Sequence, residues 1–139
     1  MINRVLDLQN LRLRQVTVPL EKISAVNAQT PMAEVLKICA GKKLTRLPVW
    51  QTHASGKRIV GIISLNTLLY LPELDLTKSA GDYVKPALYL DEELRLEEAL
   101  QRMQRSGQRL AIVLGRDRRE LGLVTLQDIL RAIFGEVNL

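Results

Sequence analysis

The chain changes hydrophobic period at regular intervals, and each change predicts an element. Met32, Val35, Leu36 and Cys39 recur at three- and four-residue spacing, which predicts a helix with one apolar stripe. Thr30-Pro31 opens it as a hydroxyl N-cap followed by proline at the first helical position, and Gly41 is placed to close it. Leu47-Pro48-Val49-Trp50 reads as a short apolar strand whose proline predicts a sheet edge or a strand start. Residues 53–56 form a polar turn, 58–63 a second strand, and 65–71 a short helix stopped before Pro72.

The second half runs through the same order. Residues 85–90 are an extended entry segment. Leu96, Ala99, Leu100 and Met103 form the apolar stripe of a helix that Gly107 ends. Strands at 110–114 and 121–124 flank a charged turn at 115–119, and a helix at 126–134 is closed by Gly135.

Gly61-Ile62-Ile63-Ser64-Leu65-Asn66-Thr67-Leu68-Leu69 reappears as Gly122-Leu123-Val124-Thr125-Leu126-Gln127-Asp128-Ile129-Leu130. A shift of 64 brings Thr30-Pro31-Met32 onto Leu94-Arg95-Leu96 and Leu47-Pro48-Val49 onto Ala111-Ile112-Val113. From Gly61 onward the shift is 61, because the first turn is longer. Such repetition is a stronger fold clue than any local pattern. The expected fold class is therefore α+β, with two pseudo-symmetric β-α-β-β-α repeats packed sheet to sheet. One copy of about 60 residues buries too little apolar surface to stand comfortably alone. The expected boundaries are a linker or helix at 1–15, repeat 1 at 16–72, a connecting segment at 73–84 and repeat 2 at 85–139.

Composition narrows the function classes. An apolar share of 47% with 25% charged residues is that of a soluble globular protein. No apolar run approaches the roughly 18 residues of a membrane span, and the polar residues mixed into 1–13 exclude a signal peptide. The single cysteine, Cys39, rules out an internal disulfide and reads as a small buried hydrophobe in a reducing compartment. A net charge of +5 allows an anionic partner. However, Lys42-Lys43, Lys57-Arg58 and Arg116/Arg118/Arg119 each lie near a turn, and no aromatic residue interleaves with them. They read as solvated turn charge, so no nucleic-acid partner is expected.

Catalytic chemistry is missing as well. His53 reads as an exposed loop residue, and Trp50 and Tyr70 as packing residues. The acidic pairs Glu92-Glu93 and Glu97-Glu98 compensate a helix dipole. There is no Cys/His ligand set, nucleophile elbow or Gly-x-Gly-x-x-Gly loop. The chain is not expected to be an enzyme.

The candidate chemistry lies at the repeated strand-to-helix junction, where free N–H groups and the positive end of a helix converge. Thr125 and Asp128 there have two readings. They can cap the final helix, or they can offer a hydroxyl to a phosphate and a carboxylate to a ribose diol. The first copy has Ser64 but puts Thr67 where the carboxylate falls in the second, so its site is expected to be the weaker one. The stripe Leu126, Ile129, Leu130, Ile133 and Phe134 is apolar enough to bury against something beyond its own repeat.

The doubled Gly-apolar-apolar-Ser/Thr junction, the Leu47-Pro48-Val49 strand and the Thr30-Pro31-Met32 helix start together resemble a tandem cystathionine-β-synthase (CBS) domain pair, or Bateman module, over residues 16–137. Residues 1–8 and 122–137 resemble the ends of such pairs in the haemolysin-C/magnesium–cobalt efflux family. The match departs at Val16-Thr17-Val18-Pro19-Leu20, where that family usually carries an arginine after the proline. The resemblance implies a regulatory adenosine nucleotide, AMP, ADP or ATP, held by Thr125 and Asp128, with the adenine against Pro86, Ala87 and Leu88. Ser64 would serve a weaker first site. Any Mg²⁺ is expected to arrive with ATP phosphates rather than in a protein cage. The resemblance further implies a homodimer and an attached membrane transport domain, with this fragment on the cytoplasmic side of the membrane. The alternative reading is a ligand-free dimerisation scaffold within a larger protein.

Overall fold

The computed structural model describes residues 11–54, 56–71 and 73–134. Expectations for residues 1–8, and for Gly135 as the final helix stop, lie outside the described residues. The chain divides into two compact units, one contiguous (Ser24–Pro86) and one assembled from Met1–Ile23 and Ala87–Leu139.

The contiguous unit holds a three-stranded sheet in the order β2-β3-β4. Its strands are β2 (Val26–Asn27), β3 (Arg46–His53) and β4 (Gly56–Ser64). Helix α1 (Met32–Lys42) crosses over between the parallel pair β2 and β3, and β3 and β4 form an antiparallel hairpin. Met32, Val35, Cys39, Leu47, Val49, Ile63, Leu68 and Ala80 meet in one buried cluster. Met32, Val35 and Cys39 of the stripe read from sequence are thus on the packed face, whereas Leu36 is only half-buried and Ile38 packs on the cluster instead. Burial holds the Cys39 thiol above its ordinary pKa.

The other unit holds a four-stranded sheet in the order β1-β7-β6-β5. Here β1 is Val18–Pro19, β5 Leu88–Asp91, β6 Leu110–Leu114 and β7 Glu120–Thr125. Helix α4 (Leu96–Ser106) joins the parallel pair β5 and β6, and α5 (Leu126–Phe134) follows β7. Leu13, Leu90, Leu96, Ala99, Met103, Val113, Val124 and Ile129 form its buried cluster. Register irregularities fall at Val49/Trp50 in one hairpin and Val113/Leu114 in the other. These positions are equivalent at the sequence shift of 64, so the repeat extends to its β-bulges.

Several expectations are corrected. Thr30 does not cap α1: its hydroxyl accepts from the Asn27 N–H at 3.1 Å, and Pro31 precedes the first helical residue. Gly41 does not end the helix, which runs on to Lys42 and closes with Lys43 in the left-handed conformation (φ 56°). The Cys39 carbonyl then accepts from both the Lys43 and Leu44 N–H groups, and half-buried Leu44 packs on the core. Pro48 lies on the central strand of its sheet, not an edge. It is tolerated because β2 meets β3 only at Val49 and Trp50, one position beyond it. Helix α2 (Leu65–Leu68) is shorter than expected and leaves Leu69 and Tyr70 at 77% and 88% exposure, so Tyr70 is no packing residue. The segment after Pro72 contains helix α3 (Ala80–Tyr83), opened by a Ser79–Asp82 capping box.

Candidate functional site

Both copies of the repeated glycine serve one purpose, which positions the residues after them. A Cβ on Gly122 would lie 1.9 Å from the Val18 carbonyl oxygen, and one on Gly61 would lie 2.2 Å from that of Lys85. Only glycine lets another backbone segment approach so closely. At Gly122 the segment is β1, paired antiparallel to β7 through Val18↔Leu123 and Pro19↔Gly122. At Gly61 it is Val84-Lys85, where the Lys85 and Ile62 backbones exchange hydrogen bonds of 2.8 and 2.9 Å. Each junction hydroxyl therefore emerges beside an extended segment drawn from elsewhere in the chain.

At the second junction, Thr125 ends β7 and Asp128 sits in the first turn of α5. The Thr125 Oγ1 accepts from the Asp128 N–H at 3.1 Å, and Asp128 Oδ2 accepts from the Thr125 N–H at 3.3 Å. This reciprocal box satisfies two N–H groups at the helix start, so the capping reading is realised in the structure. Capping does not exhaust either side chain. Thr125 donates its hydroxyl proton to no acceptor among the described residues. Among the described residues, Asp128 Oδ1 meets only the Arg131 guanidinium, at 3.7 Å. With Arg131 71% exposed, that pair is loose and solvent-screened. Both Thr125 and Asp128 are half-buried, so a ligand can reach them.

The structure brings Thr125 and Asp128 into contact and sets Ala87 and Leu88 apart from them. Leu88 pairs with Ala111, and Ala111 with Val124, so β6 intervenes. Ala87 and Thr125 share one end of the sheet, two strand spacings or about 10 Å apart. Pro86 is exposed and is the last residue of the contiguous unit. The segment lying directly against β7 is instead Thr17–Pro19, which the sequence marked only as a departure from the family pattern. The signal was the repeated glycine itself, since Gly61 and Gly122 each imply a close backbone neighbour.

At the first junction Ser64 ends β4, and its side chain makes no capping hydrogen bond. Ser64 and Thr67 line a cleft of about 160 Å³ together with Leu68, Leu71, Asp82, Tyr83, Val84 and Lys85. His53 is exposed, as expected, but it ends β3, paired with Gly56, rather than lying in the turn. Glu97 and Glu98 fall in the first turn of α4, where they offset the helix dipole. Among the described residues no cluster of three or more His, Cys, Asp or Glu side chains could hold a metal ion.

The CBS-domain family model matches residues 14–73 and again 80–135. The chain belongs to the CBS-domain family. Its two copies are the two repeats of the sequence, and the mixed helix–strand fold with two sheets is that of a tandem CBS pair. The UPF0053 protein YhdT of Bacillus subtilis is 28% identical over 142 residues, covering 99% of this chain and 30% of that protein. The magnesium and cobalt efflux protein CorC of Salmonella typhimurium is 26% identical over 139 residues, covering 99% of this chain and 47% of that protein. The CBS pair thus spans less than half the length of these relatives. Among solved structures, the CBS domain of a bacterial CNNM/CorC-family Mg²⁺ transporter in complex with ATP superimposes with a TM-score of 0.83. It shares 25% identity and covers 96% of this chain and 94% of that one. Among the described residues, no helix of the CBS pair is long and apolar enough to cross a membrane.

Proposed function

We propose that this CBS pair is a regulatory adenine-nucleotide-binding module of a membrane protein that transports magnesium or cobalt, lying on the cytoplasmic side. The observation that carries the reading is the Thr125–Asp128 pair. A free hydroxyl donor and a carboxylate with unspent lone pairs sit half-buried at the start of a nine-residue helix. Such a start favours an anion, and a carboxylate accepts both hydroxyls of a ribose. The similarity to a CBS domain solved with ATP supports the choice of ligand class. The similarity to CorC, a magnesium and cobalt efflux protein, and to the CBS domain of an Mg²⁺ transporter supports the transport context. Ala87 and Leu88 lie about one nucleoside length from Thr125 along the sheet, and the Thr17–Pro19 backbone lies on its other side; either can meet the base edge. Mg²⁺ would enter on the phosphates, since Asp128 alone makes no cage for it. The module regulates and does not catalyse. Its signal would come from a ligand preferring one of two arrangements.

Thermal-shift titration with AMP, ADP and ATP–Mg²⁺ tests this reading. A nucleotide at ~100 times its dissociation constant adds about 2.7 kcal/mol of stability. Asp128→Asn keeps an oxygen for the cap and should remove most of that gain. No stabilisation by any of the three at millimolar concentration would sink the proposal.

A ligand-free dimerisation scaffold is the second reading, and α5 favours it. Ile129 is buried and Ile133 packs on the unit's own core, but Phe134 at the end of the same stripe is 58% exposed. A second copy is the proposed occupant of that face. Phe134→Asp should convert a dimer to a monomer in sedimentation, and an unchanged sedimentation coefficient would remove α5 from the interface.

A further inference from the structure

We propose that the outer end of the β3–β4 hairpin is a docking arm for an anionic phospholipid surface, with Lys57 and Arg58 supplying the attraction. The proposal builds on the reading of this chain as part of a membrane protein, and it uses no residue of either strand-to-helix junction.

The arm is an addition to the first repeat. Beyond the irregularity at Val49/Trp50 the hairpin continues through Trp50↔Ile59, Gln51↔Arg58, Thr52↔Lys57 and His53↔Gly56. Beyond the equivalent irregularity the second hairpin has the single pair Leu114↔Glu120. The additional pairs lengthen the ribbon by about 10 Å. Among the described residues, no strand flanks this extension. Strand β2 meets β3 only at Val49 and Trp50, and the bridge from Lys85 reaches β4 at Ile62. Gln51, Thr52, His53, Gly56, Lys57 and Arg58 are all exposed, and none belongs to the buried cluster of its unit. Ordering them therefore costs conformational entropy that the core does not return.

Charge sets the partner. No acidic residue occurs between Glu34 and Glu73, a stretch that holds six Lys and Arg residues. Lys57 and Arg58 lie within β4 rather than in the turn, and as consecutive strand residues they project to opposite faces. The ribbon is thus cationic on both sides. Its exposed side chains enclose no discrete anion, so the arrangement fits charge spread over a surface. Residues 51–58 include no Phe, Tyr or Trp on which bases could stack, and no large apolar side chain to enter a bilayer. Contact would stay at the headgroups. A Lys or Arg near an anionic leaflet raises partitioning about fivefold, and two raise it about 25-fold. That gain is modest in free solution and large for an arm already tethered beside a membrane.

Co-sedimentation of the full chain with vesicles of phosphatidylcholine containing about one-third phosphatidylglycerol tests the proposal. The chain should pellet with these and not with pure phosphatidylcholine, and should be released as salt rises from about 0.05 to about 0.5 M. Lys57→Gln combined with Arg58→Gln should weaken partitioning about 25-fold. Arg116→Gln combined with Arg119→Gln removes the same net charge from the β6–β7 turn. There Asp117 lies 3.6 Å from Arg119, and the loss should stay below about threefold. Lys57→Arg combined with Arg58→Lys keeps both charges and should bind like the parent. The proposal is overturned if the parent ignores anionic vesicles at low salt, or if the two glutamine pairs lose equally. It is also overturned if the charge-keeping exchange abolishes binding, or if Lys57 and Arg58 hold duplex DNA more tightly than the vesicles. None of these readouts involves an adenine nucleotide, so a null vesicle result beside a thermal shift with ATP would remove the arm and leave the regulatory module standing.

Discussion

Gly122→Ala puts the central geometric claim at risk. The new methyl would sit 1.9 Å from the Val18 carbonyl oxygen and 2.8 Å from its carbon, whereas real Cβ contacts are essentially never closer than 3.0 Å. Both nearest atoms are backbone, so no side chain can swing aside. Strand β1 must move away from β7 by more than an ångström, which breaks the pairing at Val18↔Leu123 and Pro19↔Gly122. Overpacking of this kind costs about 1–3 kcal/mol, and each ladder hydrogen bond lost adds about 1 kcal/mol. The expected destabilisation is about 2–4 kcal/mol, a large fraction of the ~5–15 kcal/mol that holds a domain together. In urea, where a chain of this size loses about 1–3 kcal/mol per molar, the midpoint should fall by about 1–2 M. Gly41→Ala is the matched control. Nothing lies within 4 Å of its Cβ, and it stands inside α1. Alanine there should stabilise by about 0.5–1 kcal/mol through helix propensity. If Gly122→Ala unfolds within about 0.5 kcal/mol of the parent, β1 is not held against β7 as described, and the account of both junctions fails with it.

Two further substitutions probe single residues. Lys43 closes α1 at φ 56°, where Gly107 closes α4 at φ 72°; Lys43→Gly should relieve about 1 kcal/mol of strain and raise the melting temperature by about 3 °C, measured calorimetrically. Hydrogen bonds from the Thr77 hydroxyl and N–H, with a smaller attraction from Lys78, hold the exposed Asp75 carboxyl below its ordinary 3.8. Its contribution to stability is therefore complete above that value and is lost as pH falls through the lower folded-state value. Asp75→Asn should be less stable than the parent at neutral pH, and the gap measured by urea unfolding should close in strong acid.

What sequence could and could not reveal follows from where the information lies. The two hairpins and their hydroxyl junctions were legible because 61–69 and 122–130 repeat in residue type at every position but Thr67/Asp128. The apolar stripes of α1 and α4 were legible because helical period is a local property. Helix ends were not. Whether α1 stops at Gly41 or Lys43 is decided by Leu44 reaching the core, a tertiary contact that overrides the glycine. Strand β1 has two residues and no period of its own, and its partner lies more than a hundred positions away, so only the glycine opposite marks it. At the candidate sites the sequence named Thr125, Asp128 and Ser64. It could not foresee that Asp82 and Lys85 would line the Ser64 cleft, because both come from a stretch whose pattern reads as a connection.

The pairing of β1 with β7 also orders events in time. Every residue of the unit Ser24–Pro86 leaves the ribosome as one uninterrupted run, so its hairpin and helices can assemble while the rest is still being made. The other unit begins before that run and ends after it, and Val18 must wait for Leu123. Closing so long a loop is the slow, high-contact-order step. Strand β1, made before its partner by more than a hundred residues, is thus among the last of the described strands to be placed, and one strand-to-helix junction is built well before its counterpart.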